Sequence, residues 1–163
     1  STDPKSLRIA RRCAVCGADD HGKPYLEPAG GIPADVRFNP SYSDHVVVVA
    51  VARGPEVGVD VERVDPGVGW REIAAYAFTT EERESLAALD DDSALRAFYR
   101  TWTRKEAVSK ASGEGLSLLP EMGSYSWDFE VPGGSFEVSR TDPSGSWAGR
   151  RTTSALKACR WPP

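Results

Sequence analysis

No apolar run in the 163-residue sequence approaches the roughly 20 residues that a membrane-spanning helix needs. No signal-peptide pattern is visible in it either. Cysteine is scarce: three residues are too few, and odd in number, for a disulfide framework. A reducing compartment suits such a chain, and a cytoplasmic location is the expectation. Excess positive charge is also missing. Twenty Lys and Arg against 24 Asp and Glu leave a net charge of −4, which speaks against general affinity for nucleic acid. Internal repeats and long low-complexity tracts are absent. The length fits one domain or two small lobes, enough to bury a core.

The charge that is present is uneven. "KSLRIARR" places Lys5, Arg8, Arg11 and Arg12 within eight residues, either as a solvated run or as an anion-binding edge. "CAVCGADDHGKPYL" and "EPAGGIPADV" read as turn-rich segments, and "VRFNPSYSD" as an approach through an Asn-Pro turn. "HVVVVAVA", residues 45–52, is expected to be a strand buried on both faces. "RGPE" then predicts a hairpin into "VGVDVERV", residues 57–64.

That last stretch carries acids inside a run of valines. In an extended strand Val57, Val59 and Val61 share one face, while Gly58, Asp60 and Glu62 share the other. Two carboxylates about 6.5 Å apart along a strand repel by roughly 2–3 kcal/mol at an effective dielectric near 20. Solvent, a basic side chain or a cation must offset that repulsion.

Beyond Pro66 the periodicity becomes helical. "GWREIAAYAF" is a short amphipathic segment, and "TTEERESLAAL" begins with a Thr cap and a Glu-rich first turn. "DDDSALRAFYRTWTRKEAVSKASGEG" has acids and Ser at its start and Gly113 and Gly115 at its end, marking a long helix. Leu95, Phe98, Tyr99 and Trp102 form its apolar stripe, and Glu106 falls near the centre of that stripe. Arg104 lies on the opposite side. An unpaired charge there would cost several kcal/mol. Lys110 is an i,i+4 partner for Glu106, and Lys105 flanks the same face. The alternative to that ion pair joins Glu106 to Asp60 and Glu62 as an oxygen-rich site suited to Mg²⁺. Lys105, Lys110 and the basic N-terminal stretch would then face phosphate. Later strands are expected at "SYSWDFEV" and "SFEVSR".

"GVDVE" followed by "FYRTWTRKEAVSKASGEGL" resembles the paired signatures of the 4′-phosphopantetheinyl transferases, of the larger, surfactin-synthetase-activating type. The second signature is carried by Trp102, Lys105, Glu106, Lys110, Gly113, Gly115 and Leu116, with every spacing kept. "FNPSYSDHVVVVAVA", "HGKPYL" and "FTTEERESL" are similar to three further family segments, so the likeness runs from about Arg12 to Leu116.

The resemblance implies transfer of the phosphopantetheine arm of coenzyme A to a Ser of an apo acyl or peptidyl carrier protein, with release of 3′,5′-ADP. The carrier would serve polyketide, peptide or fatty-acid synthesis. The resemblance assigns Asp60, Glu62 and Glu106 to Mg²⁺, and makes Glu106 and Lys110 catalytic. Lys23, Pro24, Ser41, Tyr42 and Lys105 would contact coenzyme A. It implies an α+β fold of two lobes related by a pseudo-twofold. Residues 1–56 would be the remainder of an incomplete N-terminal lobe, and 57–163 the lobe with the metal strand and catalytic helix. A monomer is expected.

Three departures from the family pattern stand out. Tyr42 occupies a usual His position and Asp44 one where Gly is common. The chain begins with Ser, past the family's usual first strand and Arg-rich helix, which suggests truncation. "GSWAGRRTTSALKACRWPP" does not look like the family's closing strand. A non-catalytic member that binds coenzyme A or a carrier without turnover is the alternative. Trp70, Tyr76 and Phe78 are weighed between carrier docking and core packing. "CAVCG" with His21, completed by Cys159, matches part of a zinc pattern, but ordinary thiols are the expectation.

Overall fold

The computed structural model of the chain describes residues 3–27 and 33–115, with three short strands at 138–141, 147–149 and 159–160. Strands β1 (Ile9–Arg12) and β2 (Lys23–Leu26) form an antiparallel pair with Arg12 opposite Lys23. Strands β3 (Val36–Ser43) and β4 (Val46–Arg53) form a hairpin closed by Asp44 and His45. Asp44 sits at φ 53°, a left-handed conformation that Gly adopts freely and Asp tolerates. β4 continues to β6 (Val138–Thr141) and β7 (Trp147–Gly149). A separate pair joins β5 (Val57–Gly58) to β8 (Cys159–Arg160), so the unusual tail contributes strands.

The structure corrects several strand expectations. "FNPSYS" belongs to β3 itself, and Pro40 pairs opposite Val49. Proline is tolerated because β3 is the edge of its sheet. β4 is buried on one face alone: Val48 and Ala50 are 2% and 5% exposed, whereas Val47, Val49 and Val51 are 42%, 48% and 66% exposed. Valine on both faces hid the ordinary alternation of the pleat.

The expected hairpin from β4 into residues 57–64 is also absent. Gly54, at φ 85°, donates its N–H to Asp35 O at 2.8 Å and turns the chain away. Regular pairing ends at Gly58. Beyond it, the N–H groups of Val59, Val61 and Arg63 donate to Asn39 Oδ1, Ser41 Oγ and Ser43 Oγ at 3.1, 3.3 and 3.0 Å. Side chains on alternate positions of β3 thus replace a backbone ladder and satisfy the donors of the neighbouring segment. Val57 and Val59 pack with Val48 and Ala50 into a small core, as the period-two reading requires.

The helical half follows its sequence signals closely. α1 spans Trp70–Ala77, and α2 spans Thr80–Ala87 behind a reciprocal Thr79–Glu82 capping box. α3 spans Asp91–Ser112, capped by Asp90 at its start and by Gly113 at φ 79° after its end. Phe98, 1% exposed, is the hub of the larger core. The rings of Trp70, Phe78, Tyr99 and Trp102 lie 5.2–6.1 Å from it, within the range where aromatic pairs attract. Trp70 and Phe78 are therefore core residues, while Tyr76 is exposed. The strand expected over 124–131 lies outside the described residues, and β6 overlaps the one expected over 135–140. No helix among the described residues is long and apolar enough to cross a membrane.

Gly58 joins the two halves. A Cβ there would collide with the backbone of Ala107 and Ala111, so β5 lies directly on α3. Gly58→Ala should therefore cost at least the ~1–3 kcal/mol typical of overpacking. A lowered denaturant midpoint would be the readout.

Candidate active site

The contact between β5 and α3 sets the register of the acidic segment against the helix. Asp60 lies two residues beyond Gly58, and Lys110 lies on the same helix that Gly58 touches. Lys110 Nζ donates to Asp60 Oδ1 at 2.6 Å and to Ser41 Oγ at 3.2 Å. Ser41 Oγ donates in turn to Asp60 Oδ1 at 2.9 Å and accepts the Val61 N–H. One hydroxyl thus uses its donor and both acceptor sites. Asp60 is held from two elements at once, with its side chain only 3% exposed.

Glu62 receives one hydrogen bond, from Ser43 Oγ to its Oε2 at 3.3 Å. Glu106 has no ion pair or side-chain hydrogen bond among the described residues. The expected Glu106–Lys110 pair is replaced by Lys110–Asp60, because α3 turns the ammonium toward the deeper carboxylate. Glu106 feels Lys110 through space. Burial pushes the Glu106 carboxyl above its usual range; the charges of Asp60 and Glu62 push the same way, and Lys110 opposes them. Glu62 is raised by burial and then by Asp60, against the Ser43 hydrogen bond and Lys110.

These groups line one cleft of about 660 Å³. Its wall also includes Arg11, Lys23, Pro24, Ser41 and Tyr42, so eight of the nine residues expected at the site are together. Lys23 lies at the edge with its ammonium engaged, donating to Glu56 Oε2 at 2.6 Å and Ala111 O at 2.5 Å. Tyr42 is 82% exposed.

Lys105 is the ninth, and it is elsewhere. Its ammonium lies 2.8 Å from Glu82 Oε2, donates to Ala77 O at 2.9 Å, and sits over the Phe78 ring. Both partners of the pair are about 5% exposed or less. One residue of helical rotation separates it from Glu106 and turns it into the aromatic core. Its role there is to tie α3 to α2.

Sequence reasoning did not single out Asn39, Ser43, Glu56 or Glu82. For the first two a signal existed: the alternation Asn39, Ser41, Ser43 puts three short polar side chains on one face of a strand.

The donor set is suited to a hard divalent cation. Asp60, Glu62 and Glu106 offer oxygen alone and line the cleft with Lys110, although their carboxylate oxygens do not all lie within 4.8 Å of one another; Asp60 Oδ2 is buried with no hydrogen-bond partner among the described residues. A buried orphan acceptor of this kind is costly and needs a partner.

The sequence that builds this cleft is similar to those of known proteins. A family model described as the 4′-phosphopantetheinyl transferase superfamily matches residues 56–158. The chain belongs to this superfamily. It is 39% identical over 102 residues to a 4′-phosphopantetheinyl transferase of Bacillus subtilis, covering 63% of this chain and 42% of that protein. The HetI 4′-phosphopantetheinyl transferase of Nostoc is 33% identical over 104 residues, 64% of this chain and 44% of that one. The gsp transferase of Aneurinibacillus migulanus is 34% identical over 112 residues, 69% and 44% respectively. The chain thus spans less than half the length of these curated relatives.

Two consequences can be measured. Raised carboxyl pKa values mean that Glu62 and Glu106 ionise more readily in the unfolded chain. They therefore destabilise the fold as pH rises from the ordinary Glu range through their raised values, and not below it. In metal-free buffer, Glu106→Gln should raise the denaturation midpoint at about pH 7 and leave it unchanged at about pH 3.5. Lys105→Met should instead lower stability by about 3–5 kcal/mol, because it strands a buried carboxylate; the unfolding free energy from denaturant titration tests this.

Proposed function

We propose that the chain acts as a 4′-phosphopantetheinyl transferase of the larger, surfactin-synthetase-activating type. Its substrates are coenzyme A and an apo acyl or peptidyl carrier protein, and 3′,5′-ADP leaves. One observation carries the reading: Asp60, Glu62, Glu106 and Lys110 share a single cleft, inside the segment that matches the superfamily, and Asp60 Oδ2 has no partner among the described residues.

Asp60, Glu62 and Glu106 would hold Mg²⁺, which when bound offsets the negative charge of the pyrophosphate. The remaining chemistry falls to the chain. The carrier Ser oxygen attacks the phosphorus bearing the pantetheine arm. A Ser O–P bond forms as the bridging P–O bond breaks, and the bridging oxygen leaves on 3′,5′-ADP. Glu106, with no ion pair of its own among the described residues, takes the Ser proton. Lys110, fixed by Asp60 and Ser41, presents its ammonium to negative charge developing on the phosphate. Tyr42, Pro24 and Lys23 line the same cleft and would meet the nucleotide end of coenzyme A. In this reading residues 57–163 form the lobe with the metal and catalytic groups, and 1–56 supply the nucleotide contacts.

Intact-mass spectrometry of an apo carrier protein, incubated with the chain, coenzyme A and Mg²⁺, tests this directly. The expected result is a gain of one phosphopantetheine that disappears with EDTA and with Glu106→Gln. Lys110→Ala should lower kcat/KM by about 10²–10³-fold. Coenzyme A binding with no mass gain would replace the transferase reading with binding without turnover.

A further inference from the structure

The thiols of "CAVCG" were expected to be ordinary, and nothing in the carboxylate cleft uses them. They lie in the ten-residue loop that joins β1 to β2, and the loop brings three metal-binding atoms together. The Sγ atoms of Cys13 and Cys16 and a ring nitrogen of His21 all lie within 4.8 Å of one another. We propose that this loop binds one Zn²⁺ through Cys13 Sγ, Cys16 Sγ and His21 Nε2, as a structural site separate from the catalytic cleft.

Three independent features of the geometry support the assignment. The first is spacing. Cys16 Sγ and His21 Nε2 are 3.4 Å apart, close to the ~3.6 Å edge of a tetrahedron with Zn–S near 2.3 Å and Zn–N near 2.0–2.1 Å.

The second is orientation of the imidazole. Asp20 Oδ1 lies 2.6 Å from His21 Nδ1. A carboxylate there keeps the proton on Nδ1 and leaves the Nε2 lone pair facing the sulfurs, the arrangement that metal-binding histidines use.

The third is the turn around Cys13. Gly17 N donates to Cys13 O at 3.0 Å, Cys13 N donates to Ala18 O at 2.8 Å, and Gly17 closes the turn at φ 74°. These backbone bonds close the turn that holds the Cys13 and Cys16 sulfurs within 4.8 Å of each other. Among the described residues no further ligand joins this group. Cys16 is exposed and Cys13 half-buried, which leaves the ion a path in.

Binding forms two Zn–S bonds and one Zn–N bond. Protons on the thiols go to solvent, and no electrons are transferred. The consequence reaches the cleft. Arg12 faces Lys23 across the base of the loop, and Arg11 Nη1 donates to Gly22 O at 3.1 Å. Gly22, at φ 92°, has backbone of Arg12 and Cys13 where a Cβ would stand. A metal that fixes the loop therefore fixes Arg11 and Lys23, both on the wall of the cleft. The inference rests on the loop's own geometry and stands whether or not the chain transfers phosphopantetheine.

The test is elemental analysis of the untagged full chain, purified under reducing conditions from zinc-supplemented cells. One Zn²⁺ per chain is expected, with Glu106→Gln retaining it. Cys16→Ser and His21→Asn should each lose it while keeping the wild-type circular dichroism. Asp20→Asn leaves all three ligands in place and should weaken zinc affinity by about 10–100-fold in a chelator competition. Co²⁺ added to the reduced, metal-free chain should produce thiolate-to-cobalt charge-transfer absorption that Cys16→Ser abolishes. A reduced chain that carries no zinc and gives no such absorption would overturn the proposal. So would zinc retained by both ligand variants.

Discussion

The buried carboxylate of Asp60 is the constraint on which the rest of the site depends. It belongs to an extended segment, is anchored to the edge strand β3 by Ser41, and is bound to the long helix by Lys110. Three elements far apart in sequence meet at one carboxylate, and its Oδ2 has no hydrogen-bond partner among the described residues. A buried charge held by a single ammonium is costly unless its remaining lone pairs are satisfied. The fold accepts that cost where a cation would remove it.

Everything around Asp60 serves to hold it there. Asn39, Ser41 and Ser43 take the N–H groups of Val59, Val61 and Arg63, so the acid-bearing segment needs no regular strand partner on that side. Gly58 lets β5 touch α3 backbone to backbone. α3 is in turn fixed by the rings around Phe98 and by the Lys105–Glu82 pair. The two adjacent residues Lys105 and Glu106 divide these tasks, one locking the helix into the core and the other facing the cleft.

The same economy shows in the electrostatics. Lys110 and Lys23 both lie in the cleft, and both are already engaged, with Asp60 and with Glu56. Glu106 and Glu62 have no such ammonium partner among the described residues, and burial, with repulsion from Asp60 added, raises their carboxyl pKa values. Carboxyls that ionise reluctantly destabilise the fold and favour chemistry, the usual sign of groups kept for function rather than stability.

Much of this was readable along the chain. The three helices, their caps at Thr79, Asp90 and Gly113, and the apolar stripe through Phe98 follow from local signals within a few turns, and the structure reproduces them. That Asp60, Glu62 and Glu106 line one cleft was legible too, because acids on inward-facing strand and helix positions require a positive charge to offset them. What the chain could not state were the partners across space. Period-two alternation says which face a side chain takes, but not which element covers that face. Thus β4 was expected to be buried twice, and residues 57–64 were joined to it in a hairpin. Likewise an i,i+4 rule offered Lys110 to Glu106, whereas a carboxylate 50 residues away took it at 2.6 Å. Sequence alone determined the helices and the chemical types at the site, since those depend on local backbone and side-chain preferences. Only the tertiary structure decided which charge met which, because ion pairing depends on distance and burial, and both arise when distant segments pack.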